Sequence, residues 1–97
     1  MQKQYFVYIL TNSGGTVLYV GITSKLASRV DEHTAGFGGE FSERYHLERL
    51  VYFETYGDVR QAIARQKQIK GWRRSKKESL IRTMNPSLSN LRPGLRV

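Results

Sequence analysis

Gln4-Tyr5-Phe6-Val7-Tyr8-Ile9-Leu10 and, after a polar break, Val17-Leu18-Tyr19-Val20-Gly21-Ile22 are the two stretches on which the fold turns. β-Branched and aromatic side chains suit an extended backbone, and alternation puts Tyr5, Val7 and Ile9 on one face of the first strand and Phe6, Tyr8 and Leu10 on the other. Apolar groups on both faces predict a strand covered from both sides. Between the two runs, residues 11–16 centre on Asn12-Ser13-Gly14-Gly15, turn chemistry that joins antiparallel neighbours. Gly21, near the end of the second strand, has no side chain and admits either a bulge or the close approach of another group.

Outward from this hairpin, Ser24 is placed to cap a helix running to about residue 34, because its short oxygen side chain can accept an orphan N–H of the first turn. Leu26, Val30, His33 and Phe37 recur at helical spacing, with Arg29 one turn before His33. Gly36, Gly38 and Gly39 open a loop to about residue 47, in which Phe41 and Tyr45 are candidates for tucking inward or for stacking. Leu50, Val51, Tyr52 and Phe53 read as a third strand, ended by Tyr56-Gly57-Asp58, and Asp58 can cap the next helix, over residues 59–71. Its apolar or small positions are Val59, Ala62, Ile63 and Ile69, followed by Trp72. Gln66 falls inside that stripe, and an unmet buried hydrogen bond costs about 1–3 kcal/mol, so Gln66 either has a structural partner or lines a cleft. A last helix, capped by Ser75, runs to about residue 84, where Asn85-Pro86 stops it. Residues 1–86 then form one domain, and residues 87–97, with Pro93 and Gly94, an irregular and partly disordered tail. The fold class is α/β in the α+β sense, a three-stranded antiparallel sheet flanked by three helices.

Ninety-seven residues admit one hydrophobic core. A chain 39% apolar and 11% aromatic can build it. No cysteine is present, which excludes disulfides, zinc fingers and a thiol nucleophile and points to a reducing compartment. Apolar runs fall far short of the roughly 20 residues of a membrane span, and the N-terminus lacks a signal-peptide layout, so a soluble, cytoplasmic protein without a membrane partner is expected. The charge says more. The net value is +8 with a pI near 10.1, and residues 60–82 alone hold nine basic side chains against the single acid Glu78. A local cationic patch favours polyanions, since each neutralised phosphate releases counterions. The plainer reading is a solvated helical face that aids solubility.

Val7-Tyr8-Ile9, Tyr19-Val20-Gly21 with its tyrosine eleven residues after Tyr8, and the helix segment from Lys25 through Arg29 to His33 together resemble the GIY-YIG nuclease family. Residues 63–84, with Lys70-Gly71-Trp72-Arg73-Arg74 and the following Asn85-Pro86, are similar to its small stand-alone bacterial branch, the UPF0213-like proteins. The resemblance covers residues 4 to about 90. It implies a DNA endonuclease that hydrolyses phosphodiesters with one divalent ion, Mg²⁺ or Mn²⁺. The implied partner is DNA, branched, nicked or single-stranded, in repair or processing; a domain this small has few surfaces left for base readout, so low sequence specificity is expected, and no segment identifies a protein partner.

The resemblance makes Tyr8 and Tyr19 the water-positioning or base pair, Tyr8 more directly. A free tyrosine has a pKa near 10, so a base role needs a nearby cation or a proton acceptor. Arg29 and His33, four apart on one helix face, suit a phosphate clamp and a proton acceptor or phosphate donor respectively. Lys25 is an auxiliary phosphate contact and Gly21 gives access, while Arg65, Lys67, Lys70, Arg73, Arg74, Lys76 and Lys77 make up the DNA-binding surface. Taken singly, these are two core tyrosines, a surface arginine and a half-buried histidine. The sequence departs from the family at Gln66, where the resemblance implies a glutamate that binds the metal. A neutral amide keeps the geometry without the charge, so metal affinity and turnover should fall while fold and DNA binding survive. An asparagine is also implied near the C-terminal end, Asn85 before Asn90, although Asn85 equally suits a helix C-cap. Glu40, Glu43, Glu48 and Glu54 are not promoted to ligands by spacing. The rival reading is a non-catalytic nucleic-acid-binding module of the same fold.

Overall fold

In the computed structural model, residues 3–37, 39 and 44–97 are described; Phe41 and Gly38 lie outside them. Strand β1 (Tyr5–Thr11) occupies the middle of the sheet, with β2 (Leu18–Thr23) on one side and β3 (Arg49–Tyr56) on the other, all antiparallel. Helix α1 (Leu26–Thr34) follows β2, and α2 (Val59–Lys70) and α3 (Arg74–Met84) follow β3. Tyr8 is opposite Gly21 on β2 and Phe53 on β3. The hairpin turn closes as its residues dictate: Gly15 takes φ +68°, and Asn12 Oδ1 accepts from the backbone N–H groups of Thr16 and Val17 at 2.9 and 3.2 Å.

Alternation on β1 divides the core in two. Val7 and Ile9 pack with Val20, Ala62, Ile69 and Ile81 under α2 and α3. Phe6, Tyr8 and Leu10 pack with Leu26, Val30, Leu47 and Leu50 under α1. Each fully buried side chain of this kind contributes roughly 1.5–3 kcal/mol. β3 is longer than the apolar run 50–53 suggests, because its polar positions pair with β1 as well. It also carries a bulge: Ile9 pairs with Tyr52 and Leu10 with Leu50, leaving Val51 unmatched. Asn85, 3% exposed, repairs the break, its Nδ2 donating to the Val51 carbonyl at 3.1 Å and to that of Ser89 at 2.8 Å.

Four local expectations are corrected. Asp58 caps α2, accepting from Arg60 N at 2.8 Å, but Ser24 does not cap α1. Lys25 holds the N-cap position without a side-chain bond, and the Ala27 N–H is met instead by the Val97 carbonyl at 2.7 Å. Ser75 lies inside α3, whose N-cap is Arg73. Phe37 is 81% exposed, because α1 ends at Thr34 and Gly36, at φ +86°, turns the chain away from the stripe. Residues 87–97 are irregular apart from one 3-10 turn (Arg92–Gly94), yet they are packed. Leu91 and Leu95 lie against the α1-side core, the Leu91 N–H donates to Leu50 O at 2.8 Å, and Arg92 forks onto both Asp31 oxygens at 2.8 and 2.9 Å. No described helix is long and apolar enough to cross a membrane.

Candidate active site

Tyr8 points from the central strand to the α1 face because it is an even position on β1. Gly21 stands directly across from it, and a Cβ there would collide with the Tyr8 ring and hydroxyl. The absent side chain therefore lets the phenol lie flat across β2. Its hydroxyl shares a hydrogen bond of 3.0 Å with Nε2 of His33, from the last turn of α1. Tyr19 completes the group, its ring centroid 6.3 Å from that of Tyr8 and 5.0 Å from that of His33. Tyr8 and His33 are each 1% exposed, and Tyr19 and Arg29 are half-buried. Arg29 sits one turn before His33 and is paired with Glu32 at 2.9 Å.

The electrostatics follow from this packing. Burial, with Tyr19 adding to it, pushes the Tyr8 phenol up to about 12, although the Arg29 guanidinium beside it pulls the other way. Burial also lowers His33 below its ordinary 6.5, and the charge of Arg29 lowers it further. At neutral pH the pair is thus a protonated phenol and a neutral imidazole.

The structure brings Tyr8, Tyr19, Arg29 and His33 together, with Gly21 as the gap that permits it. Lys25, exposed at the start of α1, lines a separate cavity of about 450 Å³ with Lys3, Phe6 and Ser28. Gln66 is half-buried on α2, on the same helix face as the buried Ala62 and Ile69. Its amide makes no side-chain hydrogen bond among the described residues, and its partial exposure lets solvent satisfy it. The amide of Asn85 is engaged by backbone at Val51 and Ser89. Asn90 Oδ1 accepts from Leu50 N at 3.0 Å.

Among the described residues no three His, Cys, Asp or Glu side chains converge as metal ligands. Glu32, the carboxylate beside the tyrosines, is taken by Arg29, and position 66 offers a neutral amide. This donor set does not fit a hard divalent cation, which takes anionic oxygen.

The basic segment also divides. Arg65 is bound through Nε and Nη2 to Glu54, each at 2.9 Å, and through Nη1 to Gln68 at 2.7 Å. Arg74 donates to the Thr16 carbonyl at 2.6 Å and to that of Gly15, tying α3 to the hairpin turn. Lys67, Lys70, Arg73 and Lys76 are exposed and Lys77 is half-buried. The carboxylate that holds Arg65 went unread in the sequence. Glu54 accepts from the hydroxyls of Tyr52 and Tyr56 as well. The signal was present as the alternation Tyr52, Glu54, Tyr56 on one strand face, with Arg65 two turns into the next helix.

Residues 4–79 match the GIY-YIG catalytic domain family. A UPF0213 protein of Haloquadratum walsbyi is 35% identical over 80 residues, covering 82% of this chain and 89% of that protein. A UPF0213 protein of Pediococcus pentosaceus is 31% identical over 88 residues, covering 91% and 92%. Among solved structures, the UPF0213 protein of Bacillus halodurans, determined by solution NMR, superposes with a TM-score of 0.56 at 26% identity, over 87% of this chain and 88% of that one. The sheet and helices found here share that protein's α+β fold.

Proposed function

This chain belongs to the GIY-YIG catalytic domain family, and from that premise we propose that it is a DNA endonuclease of low sequence specificity, directed by DNA structure, whose turnover is restrained by the amide at position 66. The family points to nuclease-type chemistry on nucleic acid, generally with a divalent metal. One observation supports the reading above all: Tyr8, Tyr19, Arg29 and His33 gather around a single buried hydrogen bond, with the Tyr8 ring seated where Gly21 has no side chain.

Hydrolysis requires that water lose a proton as its oxygen bonds to phosphorus and the P–O bond to the leaving sugar breaks. In the mechanism we assign, the neutral His33 imidazole accepts at Nε2, so the Tyr8 hydroxyl donates to it. As water attacks, Tyr8 Oη takes the water proton while its own moves to His33. The imidazolium thus stores the proton that a phenol near pKa 12 cannot surrender to bulk water at neutral pH. Tyr19 packs against both rings and fixes their orientation. Arg29 exchanges Glu32 for the scissile phosphate and forks onto two of its oxygens, opposing the charge that builds in the transition state.

The uncharged Gln66 favours a second reading, a nucleic-acid-binding module that has kept the fold and lost the cut. One experiment separates them. The chain and its Gln66→Glu variant are compared on labelled duplex, nicked and branched DNA, with Mg²⁺ or Mn²⁺ and without. Cutting that appears or rises strongly with Glu at 66, at unchanged DNA affinity, supports the endonuclease. Binding by both with cutting by neither leaves the binding module.

A further inference from the structure

The cations of residues 60–82 are not equally available. Arg65 and Arg74 are fixed to Glu54 and to the hairpin turn, whereas among the described residues no acidic side chain pairs with Lys67, Lys70, Arg73, Lys76 or Lys77. These five gather around the elbow where α2 ends at Lys70 and α3 begins at Arg74. Trp72 occupies that elbow, half-buried, its ring flanked by the Arg65 guanidinium at 5.2 Å and the Lys76 ammonium at 4.3 Å from the centroid. Along α3, Lys76, Ser79, Leu80 and Thr83 follow at helical spacing on one face, and with Trp72 they line an open groove of about 240 Å³. Leu80 and Trp72 make it apolar. The Ser79 and Thr83 hydroxyls donate to Ser75 O and Leu80 O within the helix, so their protons are already engaged.

A slot of this size is smaller than the roughly 300–1,000 Å³ of a pocket for a drug-sized ligand, and it suits a single flat group. An indole beside that slot, near Lys67, Lys70, Arg73, Lys76 and Lys77, which have no acidic partner among the described residues, is complementary to a base whose neighbouring phosphates need neutralising. In a duplex the base faces are already stacked, and only an unpaired strand offers one to the indole.

We propose that the Trp72 groove is a stacking site for an unpaired nucleobase of a single-stranded nucleic acid, with Lys70, Arg73, Lys76 and Lys77 holding the phosphates on either side of it. This deepens the nucleic-acid reading above and rests on it. The groove lies on the α2–α3 side of the sheet and the tyrosines on the α1 side, so the two sites grip different parts of one substrate. On binding, the Lys76 ammonium moves from the indole face to a phosphate and the base takes its place.

Trp72 is the sole tryptophan, so its emission reports on the groove directly. The intact chain is titrated with a labelled 12-nucleotide oligo(dT), with a duplex of the same length and with inorganic polyphosphate, reading label anisotropy and Trp72 emission. Oligo(dT) should quench Trp72 saturably, whereas polyphosphate, which offers no ring to the indole, should bind without that quenching. Trp72→Leu should bind oligo(dT) roughly tenfold more weakly and polyphosphate equally well. Ser79→Tyr, which fills the groove from an exposed position and leaves indole and cations in place, should show the same selective loss and serves if Trp72→Leu fails to fold. Oligo(dT) that binds with unaltered Trp72 emission, or with parental affinity to both variants, overturns the stacking site while leaving nucleic-acid binding intact. Failure of every nucleic acid to bind overturns the functional reading, and this inference with it.

Discussion

Tyr8 is held by three elements: the central strand sets its direction, Gly21 on β2 gives it room, and His33 on α1 takes its hydroxyl. The balance of this contact is set by the histidine. Its pKa is below the ordinary 6.5 because burial disfavours the imidazolium, so on acidification the unfolded chain binds the proton first. A group depressed in the folded state contributes stability that is present above its unfolded pKa and is lost as pH falls through the folded one. Urea midpoints should therefore fall as pH drops from about 6.5. His33→Gln should flatten that part of the profile and leave the acid limb below it unchanged. A midpoint independent of pH between 7 and 5 in the parent protein would contradict the placement of a neutral imidazole here.

At the scale of elements, β3 and α2 are joined by a polar contact within an otherwise apolar layer. Burial pushes the Glu54 carboxyl up, but hydrogen bonds from Arg65, Tyr52 and Tyr56 and the charge of Arg65 outweigh it and hold the group below the usual carboxylate range. Its stabilisation is thus complete at neutral pH and is lost as pH falls below the ordinary 4.5, a window separate from that of His33. Removing Arg65 leaves a largely buried carboxylate beside two phenols, so Arg65→Leu should cost about 1–3 kcal/mol at pH 7 in denaturant unfolding and less near pH 3. The salt slope of DNA binding should change little in that variant, since Glu54 already neutralises Arg65 in the free protein. A loss of slope comparable to that of Lys70→Gln would return Arg65 to the phosphate-contacting set.

For the molecule as a whole, the segment after α3 ties the two core layers together. Asn85 satisfies the bulge at Val51, Asn90 accepts from Leu50 N, and Arg49 donates to carbonyls of Asn12, Ser13 and Leu88, so the hairpin turn, β3 and the last residues share one network. Asn85→Ala removes the partner of a buried carbonyl and should cost roughly 1–3 kcal/mol. Because the bulge lies in the sheet, amide exchange should accelerate on β1 and β3 together. Acceleration confined to residues 85–97 would show that the segment is an appendage.

Much of this was legible from local sequence. The strands, the hairpin turn, the Asp58 cap and the breaks at Gly36 and Asn85-Pro86 are set by residue chemistry over a few positions. Arg29 and His33 share a helix face for the same reason, and motif order carried the family. The limits of β3, the caps of α1 and α3 and the exposure of Phe37 escaped, because each is fixed by a partner distant in the chain or by one backbone angle. So were the separate fates of the basic residues decided: composition placed nine in one segment, and only packing set Arg65 on Glu54 and Arg74 on the hairpin turn while leaving Lys70 and Arg73 to solvent. The sequence by itself determined the elements and the chemical groups they carry, since propensity and alternation act over a few residues. The tertiary structure alone decided which of those groups meet, because the contact of Tyr8 with His33 is twenty-five residues distant along the chain and exists only when α1 folds back over β1 across the gap at Gly21.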